Sequence, residues 1–137
     1  KLKVGSIIVK DNRIISIGYN GTPSGWDNEC EDIDPTICQP WMHPKDYLTY
    51  KVYKTKPEVI HAESNAITKV ARSADSCEGA AIFCTHFPCI ECAKLIYQSG
   101  INAVYYRNDY EASKGSGKEF LLQCGIELLK VEKEQDV

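Results

Sequence analysis

Two short clusters carry the residue types that can do chemistry. His61-Ala62-Glu63 pairs an imidazole with a carboxylate two positions on, and Pro88-Cys89-Ile90-Glu91-Cys92 holds two thiols three positions apart. Residues three apart on a helix share a face, so Cys89 and Cys92 can grip one ion. A helix start favours their thiolate forms, because its unpaired N–H groups attract negative charge. Pro88 suits the entry to that helix, where its missing N–H costs little. His61 would add one imidazole nitrogen, and soft sulfur with one nitrogen in a tetrahedral set suits zinc. Three protein ligands leave a fourth position for water, whose pKa zinc lowers to roughly 7. Glu63, close to the metal but not a ligand, is then the proton carrier. A lone C-x-x-C is as readily a redox pair or a structural zinc site. The joint pattern points to catalysis, and a closed structural zinc with Glu63 idle is the competing reading.

The two clusters lie 28 positions apart and must be brought together by the elements around them. His61 to Ser73 has good helix formers and apolar residues at helical spacing, and Cys89 to Ser99 is a second helix with Gly100 as its stop signal. Ala80 to Thr85 between them reads as a strand. Val4 to Lys10 and Arg13 to Tyr19 are β-rich runs around Asp11-Asn12, the pattern of a hairpin. Ile101 to Tyr106 is a further strand, Ser116 to Cys124 a third helix stopped by Gly125, and Ile126 to Val131 a last strand. The order β-β-loop-α-β-α-β-α-β predicts an antiparallel opening pair followed by parallel pairings. Residues 20 to 60 form a long irregular stretch with five of the six prolines, read as a functional loop, with a short helix expected at Asp46 to Lys54.

A chain of 137 residues with 43% hydrophobic and 26% charged residues fits one soluble globular domain, taken here as residues 1–137. The formal charge of −3 argues against a protein that grips long nucleic acid. No apolar run approaches the roughly 20 residues of a membrane span, and the start carries no signal-peptide pattern. Seven irregularly spaced cysteines make a poor disulfide framework. A reducing, cytoplasmic compartment is expected, and Cys77, Cys84 and Cys124 are expected to be buried apolar residues.

His-x-Glu followed by Pro-Cys-x-x-Cys is the arrangement of the zinc nucleobase deaminases. Three further stretches narrow the class: Gly18-Tyr19-Asn20-Gly21-Thr22-Pro23, then His61-Ala62-Glu63-Ser64-Asn65-Ala66-Ile67, and Phe87-Pro88-Cys89-Ile90-Glu91-Cys92-Ala93-Lys94-Leu95-Ile96. With Gln98-Ser99-Gly100-Ile101 they resemble the deoxycytidylate (dCMP) deaminases of the cytidine deaminase-like superfamily, from about Val4 to Val131. The resemblance implies a three-layer α/β/α fold around a five-stranded mixed sheet. It implies hydrolysis of dCMP to dUMP and ammonia, with Glu63 shuttling the proton from water to N3 and helping ammonia leave. It also implies a homo-oligomer, often a hexamer, activated by dCTP and inhibited by dTTP, with Mg2+ on the effector phosphates. A viral member would work in its host's cytoplasm.

The same resemblance suggests pocket residues. The Ala62 N–H would meet the base's O2, the Phe87 carbonyl would meet the exocyclic amine, Asn20 would touch sugar or base, and Tyr110 would close the pocket. Phe87 and Tyr110 are alternatively core aromatics, and Asn20-Gly21 alternatively a turn needing positive φ. Gly21, Asn65 and Arg72 are the effector-site candidates, with a plain solvated helix residue as the other reading of Arg72. His86 is expected on the pocket rim rather than as a ligand. Cys30, Cys38 and His43 fall where some viral members hold a second zinc, at a spacing that departs from that pattern. Free thiols and a surface cluster are the stronger reading. Family members begin with a helix before the first strand, so a segment preceding Lys1 is expected. Deaminases of free nucleosides, guanine, tRNA adenosine or single-stranded DNA share the zinc motif, and a nucleotide-binding module without catalysis is the rival from another class.

Overall fold

The computed structural model describes residues 3–27, 29–33, 53–110 and 115–132. Leu2–Asn20 with Ile60–Val137 form one compact unit and Gly21–Val59 another.

The larger unit opens with the predicted hairpin. Strands β1 (Gly5–Lys10) and β2 (Arg13–Tyr19) pair antiparallel, with a register shift between Ile8 and Val9. Asp11 and Asn12 take φ of 52° and 60°. These are the left-handed values that a two-residue hairpin turn with the strands' own twist requires. Helix α1 (Ala62–Ala71), β5 (Ala81–His86), α2 (Ile90–Gln98), β6 (Ala103–Asn108), α3 (Lys118–Gln123) and β7 (Glu127–Lys130) follow. The sheet order is β2-β1-β5-β6-β7. β1 runs antiparallel to β2 and β5, while β5–β6 and β6–β7 are parallel through helical crossovers. This is the five-stranded mixed sheet that the sequence resemblance implies. The helices are each two or three residues shorter than the sequence suggests, because His61, Cys89 and Gly117 cap α1, α2 and α3 rather than join them and the last turns end early. Gly100, at φ 92°, ends α2 as expected.

Strand alternation sets the core. Ile8, Ile82, Cys84, Val104 and Tyr106 are buried with Ala66, Val70, Ala93, Ile96 and Leu121 of the three helices. The opposite sheet face bears Ile17, Tyr19 and Phe83, at 50%, 66% and 41% exposure, and no helix among the described residues covers it. Cys77 and Cys84 are buried as expected, whereas Cys124 is only half-buried against the core edge. All six cysteines described are free thiols.

One glycine fixes the distance between sheet and helix. A Cβ at Gly18 would run into the Ala62 carbonyl oxygen and lie 2.6 Å from the Ala66 nitrogen. Only a residue without a side chain lets β2 touch the backbone of α1. Around that contact three polar tethers bind α1 to β2. Ser16 Oγ donates to the Ala66 carbonyl at 2.7 Å, Asn65 Nδ2 to the Tyr19 carbonyl at 2.8 Å, and Lys69 Nζ to the Ile17 carbonyl at 2.8 Å.

The smaller unit covers most of the expected loop. It contains the antiparallel strands β3 (Glu31–Ile33) and β4 (Tyr53–Thr55), and Lys56 N donates to the Cys30 carbonyl at 2.8 Å. Tyr53 and Lys54 are therefore strand residues, which corrects the C-terminal end of the helix expected at Asp46 to Lys54; residues 46–52 lie outside the described residues. Neither Asn20 nor Gly21 has positive φ, which overturns the turn reading of that pair. Among the described residues no helix is long and apolar enough to cross a membrane.

Candidate metal centre

α1 and α2 begin close together. His61 immediately precedes α1 with extended backbone (φ −68°, ψ 155°), and Cys89 precedes α2 in the same way (φ −70°, ψ 169°). Cys92 follows on the first turn of α2. The strand β5 leads directly into Phe87-Pro88-Cys89, so the sheet sets the start of α2. The Ile90 N–H donates to the Gly115 carbonyl at 3.1 Å and the Gly117 N–H to the Pro88 carbonyl at 3.2 Å, which ties the α3 approach to the same corner.

The result is a compact donor set. His61 Nδ1 lies 3.4 Å from both Cys89 Sγ and Cys92 Sγ. The three ligand atoms fall within 4.8 Å of one another, and they are the one such group among the described residues. Tetrahedral zinc with its usual bond lengths to sulfur and nitrogen would separate those donors by about 3.6 Å. The two N–S distances therefore fit one zinc ion.

Electrostatics favour a cation here. The hydrogen bond between the two thiols is the main cause that pulls Cys89 down to about 3 and pushes Cys92 up. Side by side, one thiolate is held by the other's proton, and a cation can replace that proton. Glu63 is 4% exposed, and burial pushes its carboxyl above the ordinary carboxylate range. Its own backbone hydrogen bond, then the Cys92 thiol, oppose that rise. A carboxyl raised by burial is a better proton carrier than an exposed one, because the gap to working pH is smaller.

The other sequence-derived candidates are distributed more widely. Ala62 is fully buried as the first residue of α1. The Phe87 ring is core, packed edge-on to Tyr106 at 4.7 Å, and its N–H donates to the Asn108 carbonyl. Tyr110 is 43% exposed and stands edge-on to His86 with ring centroids 5.9 Å apart, so it is not a core aromatic. His86 is half-buried, its Nδ1 2.9 Å from Thr85 Oγ1. Both aromatics sit at or beyond the C-terminal ends of parallel strands, the end of an open α/β sheet where ligands bind. Asn20 Oδ1 accepts from the Val4 N–H at 3.2 Å and extends the hairpin.

Of the effector candidates, Asn65 is engaged with Tyr19 and Arg72 is exposed at the far end of α1, seven residues on. Gly21 belongs to the smaller unit. Cys30 is described and half-buried, while Cys38 and His43 lie outside the described residues. Sequence reasoning missed Ser64, whose Oγ is 3.4 Å from Cys92 Sγ. No spacing rule marks a serine between a glutamate and an asparagine.

Comparison with known proteins agrees with this geometry. The model of the cytidine and deoxycytidylate deaminase zinc-binding region matches residues 1–108. The deoxycytidylate deaminase of Enterobacteria phage T4 is 36% identical over 96% of this chain and 80% of its own length. ComE operon protein 2 of Bacillus subtilis is 35% identical over 96% of this chain and 61% of its own. The crystal structure of dCMP deaminase from cyanophage S-TIM5, in complex with dCMP and dUMP, aligns with a TM-score of 0.76. It is 41% identical and covers 96% of this chain and 82% of that one. By family match, identity and fold together, the chain belongs to the cytidine and deoxycytidylate deaminase zinc-binding family.

Proposed function

We propose that this protein hydrolyses dCMP to dUMP and ammonia, with His61, Cys89 and Cys92 holding one zinc ion and Glu63 carrying the protons. The observation that carries this reading is the convergence of His61 Nδ1 and the two Sγ atoms beside a buried carboxyl that belongs to none of them. Support for the substrate comes from the phage T4 relative's name and from the cyanophage structure with dCMP and dUMP.

Zinc in this donor set supplies Lewis acidity that lets water lose a proton near neutral pH. Glu63 accepts that proton as water's oxygen bonds to C4 of the cytosine ring. It delivers the proton to N3, which leaves C4 tetrahedral. Glu63 then takes the proton of the C4 hydroxyl and passes it to the amine; the C4–N bond breaks, the C4 carbonyl of uracil forms and ammonia leaves. Burial suits Glu63 to both halves, since it narrows the gap between its pKa and working pH. Its place on the first turn of α1, two residues from His61, keeps the shuttle beside the metal through the whole cycle.

In the same reading the Ala62 N–H donates to the base's O2 and the Phe87 carbonyl accepts from the exocyclic amine. Asn20 meets the sugar or base, and Tyr110, beside His86, closes the pocket. Activation by dCTP and inhibition by dTTP, with Mg2+ on the effector phosphates, complete it, Gly21, Asn65 and Arg72 being the effector candidates. So do assembly as a homo-oligomer, taken as a hexamer, and work in the cytoplasm, the host's for a phage-encoded member. The family motifs support these parts, and the net charge of −3 supports a small nucleotide over a long strand.

The test is ultraviolet-monitored deamination of cytidine, deoxycytidine, dCMP and dCTP, each with and without added dCTP or dTTP. Turnover preferring dCMP and falling with dTTP is expected. Turnover of nucleosides alone would overturn the substrate, and no turnover by zinc-loaded protein would overturn the activity.

A further inference from the structure

We propose that Ser64 is a positioning residue for the metal centre, donating a hydrogen bond from its hydroxyl to the Cys92 sulfur. Ser64 Oγ lies 3.4 Å from Cys92 Sγ, a bond that joins the first turn of α1 to the first turn of α2.

The hydroxyl's direction is the informative point. Serine and threonine in and just after helices commonly turn back to a carbonyl three or four residues earlier. Thr68 does so to the Ser64 carbonyl, Ser73 to Val70, and Ser99 to Ile96. Ser64 instead reaches across to the other helix. Once Cys92 is a metal ligand its sulfur is a thiolate without a proton, so the hydroxyl is the donor. Cys89 has no hydroxyl donor to its sulfur among the described residues, so the two thiolates differ. Cys92 gives up part of its charge to Ser64 and is the weaker electron donor to the ion.

Two effects follow. The bond fixes the Cys92 side chain towards His61 Nδ1, which also lies 3.4 Å from that sulfur. It also limits how much charge the sulfur passes to the metal, and so keeps the ion a stronger Lewis acid. Outer partners of metal ligands commonly contribute about 10–100-fold in metal affinity or activity.

The inference rests on Cys92 being a ligand, and the experiment separates the two claims. The full-length protein would be loaded with Co2+ and the sulfur-to-cobalt charge-transfer band recorded, with zinc affinity measured by chelator competition. No band in the wild type, or a band that Cys92→Ser leaves at wild-type intensity, would defeat the ligand reading itself. With the band present, Ser64→Ala is expected to move it to lower energy, and to weaken zinc by about 10–100-fold because the lost positioning of Cys92 outweighs the stronger donation of its freed sulfur. Alanine favours helix more than serine does, so this variant should fold. Ser64→Thr, which keeps a hydroxyl, is expected to return both values towards wild type. Band and affinity unchanged in Ser64→Ala, or Ser64→Thr indistinguishable from a shifted Ser64→Ala, would overturn the proposal.

Discussion

The side-chain amide of Asn65 donates to the Tyr19 carbonyl oxygen at 2.8 Å, so the helix that carries His61 and Glu63 caps the edge strand of the sheet. β2 has a neighbour on one side only, and its outer carbonyls would otherwise face water. Asn65 and Lys69, one turn apart on α1, take two of them, and the Lys69 ammonium also lies 5.4 Å from the Tyr19 ring centroid. Asn65→Asp is nearly the same size but offers only acceptors to that carbonyl. It should lose about 0.5–1.5 kcal/mol of stability at pH 7 while keeping its zinc, because the bond is exposed. Chemical denaturation with metal analysis would check this, and an unchanged midpoint would deny the cap.

Gly18 sets the approach of the same two elements. A methyl group there meets the backbone of Ala62 and Ala66, neither of which can swing aside. Gly18→Ala should cost about 1–3 kcal/mol. It should also lower kcat on dCMP, because the displaced helix takes Glu63 with it and reactions are sensitive to shifts of about 1 Å. Loss of stability with an intact kcat would separate packing from catalysis and count against this coupling.

Glu63→Gln keeps the shape of the site and removes the proton carrier. Zinc content should stay at wild-type level while kcat falls by about 10²–10⁴-fold or more. Atomic absorption and steady-state kinetics on the same preparation decide it, and undiminished turnover would eliminate the shuttle.

Cys89→Ser removes one of the three donors that meet within 4.8 Å. Because metal binding energy is part of folding energy, this variant should lose both zinc and thermal stability. Chelator treatment of the wild-type protein should lower its Tm in the same direction. Full zinc occupancy in Cys89→Ser would refute the ligand assignment.

The exposed pair Asp109–Lys130 joins the end of β6 to the end of β7. Their hydrogen bond holds the Asp109 carboxyl below its usual range and Lys130 above its own. The carboxylate's contribution is present above its unfolded pKa of about 3.9 and disappears as pH falls through the lower folded value. The ammonium's contribution is present below about 10.4 and disappears as pH rises through the higher folded value. The Tm difference between wild type and Asp109→Asn should therefore be greatest between these limits, and small because the pair is solvent-exposed. It should shrink in high salt. A difference that persists at about 1 M salt would point to a cause other than charge.

The sequence by itself determined the metal chemistry and the order of elements. Zinc accepts few donor types at few spacings, so His61, Cys89 and Cys92 stood out before any coordinates, and their Nδ1 and Sγ atoms do converge. The hairpin was legible for a similar reason, since Asp11-Asn12 is a turn with restricted chemistry. Tertiary structure decided what surrounds the centre. Whether Asn65 caps an edge strand, Ser64 touches a thiol or Tyr110 leaves the core depends on side-chain directions after two helices have packed. The 3.6-residue period places a residue on a face but not against a partner. The region about residues 20–60 was the least legible, because strands as short as β3 and β4 leave no periodicity to read. Gly18 shows the division most clearly: its glycine is visible in the sequence, but the Ala62 and Ala66 backbone that requires it is brought there only by the fold.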